Sequence, residues 1–329
     1  MRFGSVPVAE AEDCVLAHSV HLSKGRLRKG LRLCAADVKR LQEAGHKVLT
    51  VARLDPDDLT EDVAAEILAD ALVGKNRSLR KSKAATGRVN IHATQPGIAA
   101  LDVAALQAFN GINPMITVAT LPQYARVEPG TMVATIKIIA YAVPGAAVDM
   151  AADNGRGAVG LRRPVFQTAT LIETMQQGAK PLKGRRALAT RLDRLDVALT
   201  DRMVVAHDAD SVAGAIANAA GDVVFILTAS ATSDVADVGP AGLVEAGGVL
   251  TQFGMPVDPG NLLFLGSLGH KPVIGLPGCA RSPALNGADW VMERVICGVD
   301  LRPADFAAMG VGGLLKEIPT RPKPRADID

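Results

Sequence analysis

DVVFILTASATSDVADVGP, residues 222–240, holds an unbroken apolar run after Asp222, passes through a loop rich in hydroxyl, alanine and aspartate residues, and reaches a Gly-Pro pair. An apolar run bounded by polar turn residues marks a strand buried on both faces, and the small polar residues that follow lead into a helix. Working outward from it, strand-like runs fall at about 159–168, 202–207, 222–228, 248–254, 261–266 and 272–276, with helical segments near 211–220, 239–246 and 283–298. This alternation predicts an α/β domain over 158–300, a mostly parallel sheet flanked by helices. In such a sheet ligands bind beyond the carboxyl ends of the strands. Those ends carry Asp208 after MVVAH, the loop TASATSDVAD after DVVFIL, and PGCARS after KPVIGL.

The rest of the chain sets the context of that domain. Its 329 residues exceed one ordinary domain and predict about two. Hydrophobic residues make up 48% and aromatics only 3%, so the core is built from Ala, Val, Leu and Ile. Lys and Arg number 36 against 34 acidic residues, a net charge of +2 that advertises no polyanionic partner. With one Trp and two Tyr, no aromatic residues interleave with basic ones for base stacking, which argues against nucleic acid. The N-terminal stretch has no basic region followed by a long apolar run, and no segment offers about 18 uninterrupted apolar residues. A cytoplasmic protein without a membrane partner is expected. Cys14, Cys34, Cys279 and Cys297 form no C-x-x-C pair and signal neither a zinc cluster nor a disulfide framework.

A smaller α+β and β-rich region precedes the α/β domain. Residues 1–74 read as an α+β unit ending in a helix over about 60–72, with acids in its first turn and Gly74 past its end. Residues 75–88 carry Lys75, Arg77, Arg80, Lys81, Lys83 and Arg88 without an acid, the pattern of a basic linker or an anion-facing arm. MITVATLP and GTMVATIKIIAYAV predict a small β-rich module over 89–150, PGAAVDMAADNGRG reads as a linker, and 301–329 as a C-terminal tail.

Candidate site residues gather at the predicted strand ends. Thr228, Ser230, Thr232 and Ser233 offer hydroxyls, and successive backbone N–H groups ahead of a helix form an anion cradle. The same residue types also serve turns and caps. Asp208 and Asp237 are candidates to hold a divalent cation or act as catalytic carboxylates, or else to shape helix entries. VDPGNLLFLGSLGHKPVIGLPGCARSP, residues 257–283, places Pro-Gly turns at 259–260 and 277–278 beside neighbouring strands. Cys279 stands at the entrance of the helix expected near Pro283, where a dipole favours a thiolate, although a small buried Cys is the commoner use. Lys180, Lys183, Arg185, Arg186 and Arg191 crowd GAKPLKGRRALATR, as an anion clamp or as a solvated loop.

These motifs carry a resemblance. Residues 228–240 align without a gap to the T-G-G-T-G-x-x-x-x-D-V-T-P loop of the molybdopterin-binding domain shared by molybdopterin adenylyltransferase, molybdopterin molybdotransferase and gephyrin; Asp237, Val238 and Pro240 match. Pro259, Gly260 and Asn261 resemble the start of its P-G-K-P turn, and Leu276, Pro277, Gly278, Cys279, Ala280, Arg281 and Ser282 its L-P-G-N-P-V-S turn. His207-Asp208 sits where the family has an acidic residue after its second strand. In the unit 1–74, VPVAEAEDCVLAHSVHL and LRKGLRLCAADVKRLQEAGHKVLTV resemble the N-terminal part of molybdotransferases more weakly.

The resemblance implies molybdopterin or adenylyl-molybdopterin as ligand, with Mg2+ and molybdate as companions in a transferase reaction that releases AMP. It implies Asp208 and Asp237 as the catalytic and metal-binding pair, and Pro259, Gly260, Asn261, Pro277, Gly278, Cys279, Arg281 and Ser282 as walls of the pocket. A homo-oligomer is implied, as is a partner among molybdoenzymes or other cofactor-biosynthesis proteins. The departures point elsewhere. Ala229, Ser230 and Thr232 replace family glycines, Asn261 replaces a lysine and Ala280 a proline. A non-catalytic carrier that has lost turnover is the second expectation.

Overall fold

The computed structural model describes residues 1–178 and 184–315. The chain divides into two compact units, one of Met1–Gln95 with Ala99–Leu161, the other of Pro96–Ile98 with the chain from Arg162 onward.

In the first unit, Val48–Arg53 pairs antiparallel with both Arg2–Pro7 and Val15–Leu16. Val38 and Leu41 of helix Ala35–Glu43 close the small core beneath, with Leu16, Leu33 and Val51. Helix Glu61–Val73 starts after Thr60 and ends at Gly74, whose φ of +55° suits a residue without Cβ. Its buried face of Ala64, Ala65, Leu68, Ala69 and Leu72 packs on a four-stranded antiparallel sheet ordered Ile116–Thr120, Met132–Ile138, Arg88–Ala93, Leu79–Lys81. Residues 1–74 and 89–150 therefore share one unit.

Three sequence expectations need correction here. Residues 75–88 are not a linker: Leu79–Lys81 is the edge strand of that sheet, and Lys81 pairs with Asp70. An edge strand tolerates charge because one side of its ladder faces water. The 89–150 module is not purely β, since it contains helices Val103–Gly111 and Gly145–Asn154. The latter occupies the expected linker, with Val148, Ala151 and Ala152 at helical spacing buried in the unit's core.

The second unit is built on a seven-stranded sheet. Its strands are β1 (Thr168–Met175), β2 (Ala198–Leu199), β3 (Met203–Ala206), β4 (Val223–Leu227), β5 (Val249–Phe253), β6 (Phe264–Leu268) and β7 (Lys271–Gly275). Its helices are α1 (Arg185–Asp193), α2 (Ala209–Asn218), α3 (Val238–Glu245), α4 (Gly287–Ile296) and α5 (Pro303–Ala308). β2 and β3 both lie along β1, and from there the order is β1, β4, β7, β6, β5.

The sheet is mixed. β1, β2, β3, β4 and β7 run parallel, whereas β6 is antiparallel to both β7 and β5. The Gly269-His270 turn is too short for a crossover, so β6 and β7 must form a hairpin. Ile172, Val224, Ile226 and Val273 face Val212, Ile216 and Leu243 of α2 and α3, while the alternate residues Leu171, Phe225 and Ile274 are equally buried. Burial on both faces explains why these strands read as continuous apolar runs.

The sequence reading placed a strand over 159–168, but Val159–Arg162 belongs to another sheet and β1 begins at Thr168. The segment from 301 is not all tail, since α5 forms with Phe306 buried.

Candidate functional site

Strand polarity decides which loops meet. His207 and Asp208 follow β3, residues 228–237 follow β4, and 276–282 follow β7, all at the carboxyl edge of the parallel strands. Because β6 runs the other way, with Phe264 opposite Gly275, the turn before it reaches the same edge. The two Pro-Gly turns thus sit side by side, and all the loops singled out in the sequence emerge along one edge.

A hydrogen-bonded relay joins three of the strands' loops. Thr174, fully buried near the end of β1, accepts from the Ala229 backbone N–H at 2.8 Å and lies 2.8 Å from His207 Nδ1. A hydroxyl carries one donor and two acceptor positions, so this contact runs in either direction according to the imidazole tautomer. Nε2 in turn lies 2.9 Å from Ser230 Oγ. Ser230 is exposed, so its hydroxyl is open to an incoming ligand. His207 is held between two hydroxyls as a positioning group.

The hydroxyls of Thr228 and Thr232 turn inward. Thr228 Oγ1 donates to the Ser230 carbonyl at 2.7 Å and lies 3.2 Å from Thr232 Oγ1; both threonines are buried. None of residues 228–237 has a positive φ, so the loop reaches its form without the glycines of the motif it resembles. The Thr228 and Thr232 side chains supply internal bonds in place of that backbone freedom.

Asp208 and Asp237 are helix caps. Asp208 Oδ1 accepts from Ser211 N at 2.8 Å and Oδ2 from Ser211 Oγ at 3.0 Å. Ser211's backbone N–H, then its hydroxyl, hold the Asp208 carboxyl below the ordinary carboxylate range. Asp237 Oδ1 accepts from Val238 N at 2.7 Å and Oδ2 from Ser233 N at 3.0 Å. All four oxygens are thus engaged by local donors. Among the described residues no three His, Cys, Asp or Glu side chains gather for a metal ion. Two capping carboxylates do not by themselves make the oxygen cage that a divalent cation such as Mg2+ needs.

The Pro-Gly turns prove different from one another. Pro259 and Gly260 are buried, Asn261 is exposed, and Gly260 backs onto the start of α4: its ideal Cβ would lie 2.5 Å from Gly287 N. Gly287 N donates to the Pro259 carbonyl at 2.8 Å. This turn is a seat for a helix. At the second turn Pro277 is buried but Gly278 and Ser282 are exposed, and Arg281 Nη2 donates to the Thr228 carbonyl at 2.6 Å, tying this turn to the hydroxyl loop.

Cys279 is not at the entrance of a long helix. It lies in the short 3-10 turn Gly278–Arg281, and α4 begins only at Gly287, where Asn286 and Asp289 form the capping box. Arg191 is not part of an anion clamp either. Its side chain is buried, with Nε 2.6 Å from Asp289 Oδ1, and its other nitrogens donate to the carbonyls of Ala280, Ser282 and Ala284. Lys180 and Lys183 lie outside the described residues.

Sequence reasoning did not assign roles to Thr174, His207, Glu173 or Arg202. The first and third lie on β1, whose run TATLIETM carried a strand signal of β-branched and apolar residues ending before Gly178.

Residues 5–53 match a family described as a domain of unknown function (DUF8806). No curated protein matches the chain. Among solved structures, a molybdopterin biosynthesis moea protein from Pyrococcus horikosii superposes with a TM-score of 0.32 at 16% identity, covering 91% of this chain and 76% of that one. A molybdenum cofactor biosynthesis protein from Pyrococcus furiosus gives 0.23 at 12% identity, covering 85% of this chain and 59% of the other. A second moeA structure, from Pyrococcus horikoshii OT3, gives 0.20 at 12% identity, over 83% and 69%. TM-scores this low do not establish a common fold.

Proposed function

We propose that this chain is a molybdenum-cofactor biosynthesis protein whose second unit binds molybdopterin or adenylyl-molybdopterin along the strand-carboxyl edge. The observation that carries the reading is the meeting of residues 207–208, 228–237, 259–261 and 276–282 at one edge, since the motif resemblance had picked out those same loops from the sequence. Ser230 presents an exposed hydroxyl, oriented through His207 and Thr174. Ser233 and Ser282 are exposed beside it in sequence or at the same edge, and Arg281 brings a positive charge. A cytoplasmic homo-oligomer that passes its ligand to a molybdoenzyme or another biosynthesis protein belongs to the same proposal.

A specific observation favours the non-catalytic form of this reading. Asp208 and Asp237 serve as caps with both oxygens engaged, and Asn261 stands where the family's lysine would bring a cation. Asp208, whose cap donors hold its carboxyl below the ordinary carboxylate range, is a weak general base. We therefore place binding and carriage ahead of molybdate insertion. The test is equilibrium titration of the purified protein with molybdopterin and adenylyl-molybdopterin, with and without Mg2+ and molybdate, scoring AMP in the same samples. Binding without AMP release is expected. AMP release lost in Asp237→Asn would restore the transferase, and no binding of either pterin would remove the proposal.

A further inference from the structure

Beside the hydroxyl loop, at the start of α1, an open concavity of about 630 Å³ is lined by Arg185, Arg186, Arg202 and Arg281, with Thr190 on its wall. Four guanidinium groups around one hollow repel each other unless something negative balances them. Glu173 does so in part: it is buried, and its Oε2 accepts from Arg202 Nε at 2.5 Å. Among the described residues, Arg185, Arg186 and Arg281 take part in no ion pair. Arg185 Nη2 and Arg281 Nη2 donate to the carbonyls of Thr200 and Thr228, both at 2.6 Å, which fixes the groups without neutralising them.

The balance is incomplete in a second way. Arg185 Nη1 and Arg281 Nε are buried with no hydrogen-bond partner, as is Glu173 Oε1. Burial pushes the Arg281 pKa down, and the Glu173 carboxylate offsets only part of that. The uncompensated positive charge of Arg185, Arg186 and Arg281 is what an anion accepting several guanidinium N–H bonds at once would balance. Guanidinium forks match the oxygens of a tetrahedral oxodianion, whereas a single carboxylate would leave most of them unused.

We propose that this arginine-lined hollow is a binding site for a phosphate-class dianion, either a small phosphomonoester or the free ion. Its volume lies in the range of pockets that enclose small organic ligands, which favours the ester. The inference does not depend on the ligand being a pterin.

The experiment is calorimetric titration of the whole protein with phenyl phosphate and with inorganic phosphate at fixed ionic strength, repeated for Arg186→Glu and Arg281→Gln. Arg186 is exposed, so its reversal leaves the fold standing, which a thermal melt checks. Saturable binding is expected, weakened about tenfold or more by either substitution, as loss of a charged hydrogen-bond donor implies. Tighter binding of phenyl phosphate assigns the site to an ester, and equal binding assigns it to the free ion. Absence of saturable binding, or binding indifferent to both substitutions, overturns the proposal. Neither probe contains a pterin, so a failed pterin titration and a failed phosphate titration are separate results.

Discussion

Arg191 and Asp289, 98 residues apart, meet as a buried ion pair 2.6 Å long, their side chains 6% and 7% exposed. The pair joins α1 to the capping box of α4, and the remaining guanidinium bonds hold the carbonyls of residues 280, 282 and 284. Arg191 therefore shapes the turn that carries Arg281 and Ser282 without reaching a ligand itself. Arg191→Met strands a buried carboxylate and is expected to destabilise the protein by about 3–5 kcal/mol. Arg191→Met with Asp289→Leu should cost less than the sum of the two single changes, because no charge is left alone. Denaturant titrations of the three variants measure both statements.

The two Pro-Gly turns make opposite demands on their glycines. Gly260 has φ +139°, and an added Cβ would lie 2.5 Å from Gly287 N and 2.7 Å from its Cα, both backbone atoms that cannot move aside. At Gly278 an added Cβ would meet only the end of the Arg281 side chain, at 3.3 Å. Gly260→Ala should lower stability by about 1–3 kcal/mol through overpacking and strain. Gly278→Ala should stay within about 0.5 kcal/mol, as surface changes usually do. Equal melting temperatures for the two variants would contradict this distinction.

Much of the second unit was legible because its strands are buried on both faces. The run 223–227 announces itself as apolar, and the loop after it announces a helix by its small polar residues. Local chemistry with two uses was less legible. Asp208 and Asp237 have the residue type of catalytic carboxylates, and only the positions of Ser211, Ser233 and Val238 reveal them as caps. Arg191 sat in a basic run and looked solvated, yet its partner Asp289 is far along the chain, and sequence spacing carries no sign of such a contact. The helix Gly145–Asn154 was hidden by a different ambiguity, since its glycine and alanines resemble a linker until a partner surface buries Val148 and Ala151.

Asp222 ties β1 to the start of β4. Its Oδ2 accepts from the Gln167 and Thr168 backbone N–H groups and from Thr168 Oγ1, each at 2.9 Å, and these bonds hold its pKa below the ordinary value. In the unfolded chain an Asp titrates near about 3.9. The stabilisation is therefore fully present above that pH and is lost as pH falls through the lower folded value. Asp222→Asn should flatten the acid limb of a stability-against-pH curve below about pH 4 and leave its neutral shape unchanged. Fluorescence of Trp290, the sole tryptophan, reports this unit directly. An unaltered acid limb would mean that the three bonds do not favour the carboxylate.

His207 is argued to act through Ser230, so its removal must be read in two ways. His207→Ala takes one hydrogen-bond partner from the buried Thr174 hydroxyl and another from Ser230. The first loss is expected to cost about 1–3 kcal/mol of stability. The second lets the Ser230 hydroxyl rotate and should weaken pterin binding about tenfold, the scale of one lost hydrogen bond at a ligand. His207→Asn retains a donor and an acceptor on a shorter side chain and should recover part of the stability. Ser230→Ala separates the effects: the Thr174 to His207 bond survives, so stability should hold while affinity falls as far as in His207→Ala. If Ser230→Ala binds pterin like the unaltered protein, the relay supports the loop and has no part in recognition.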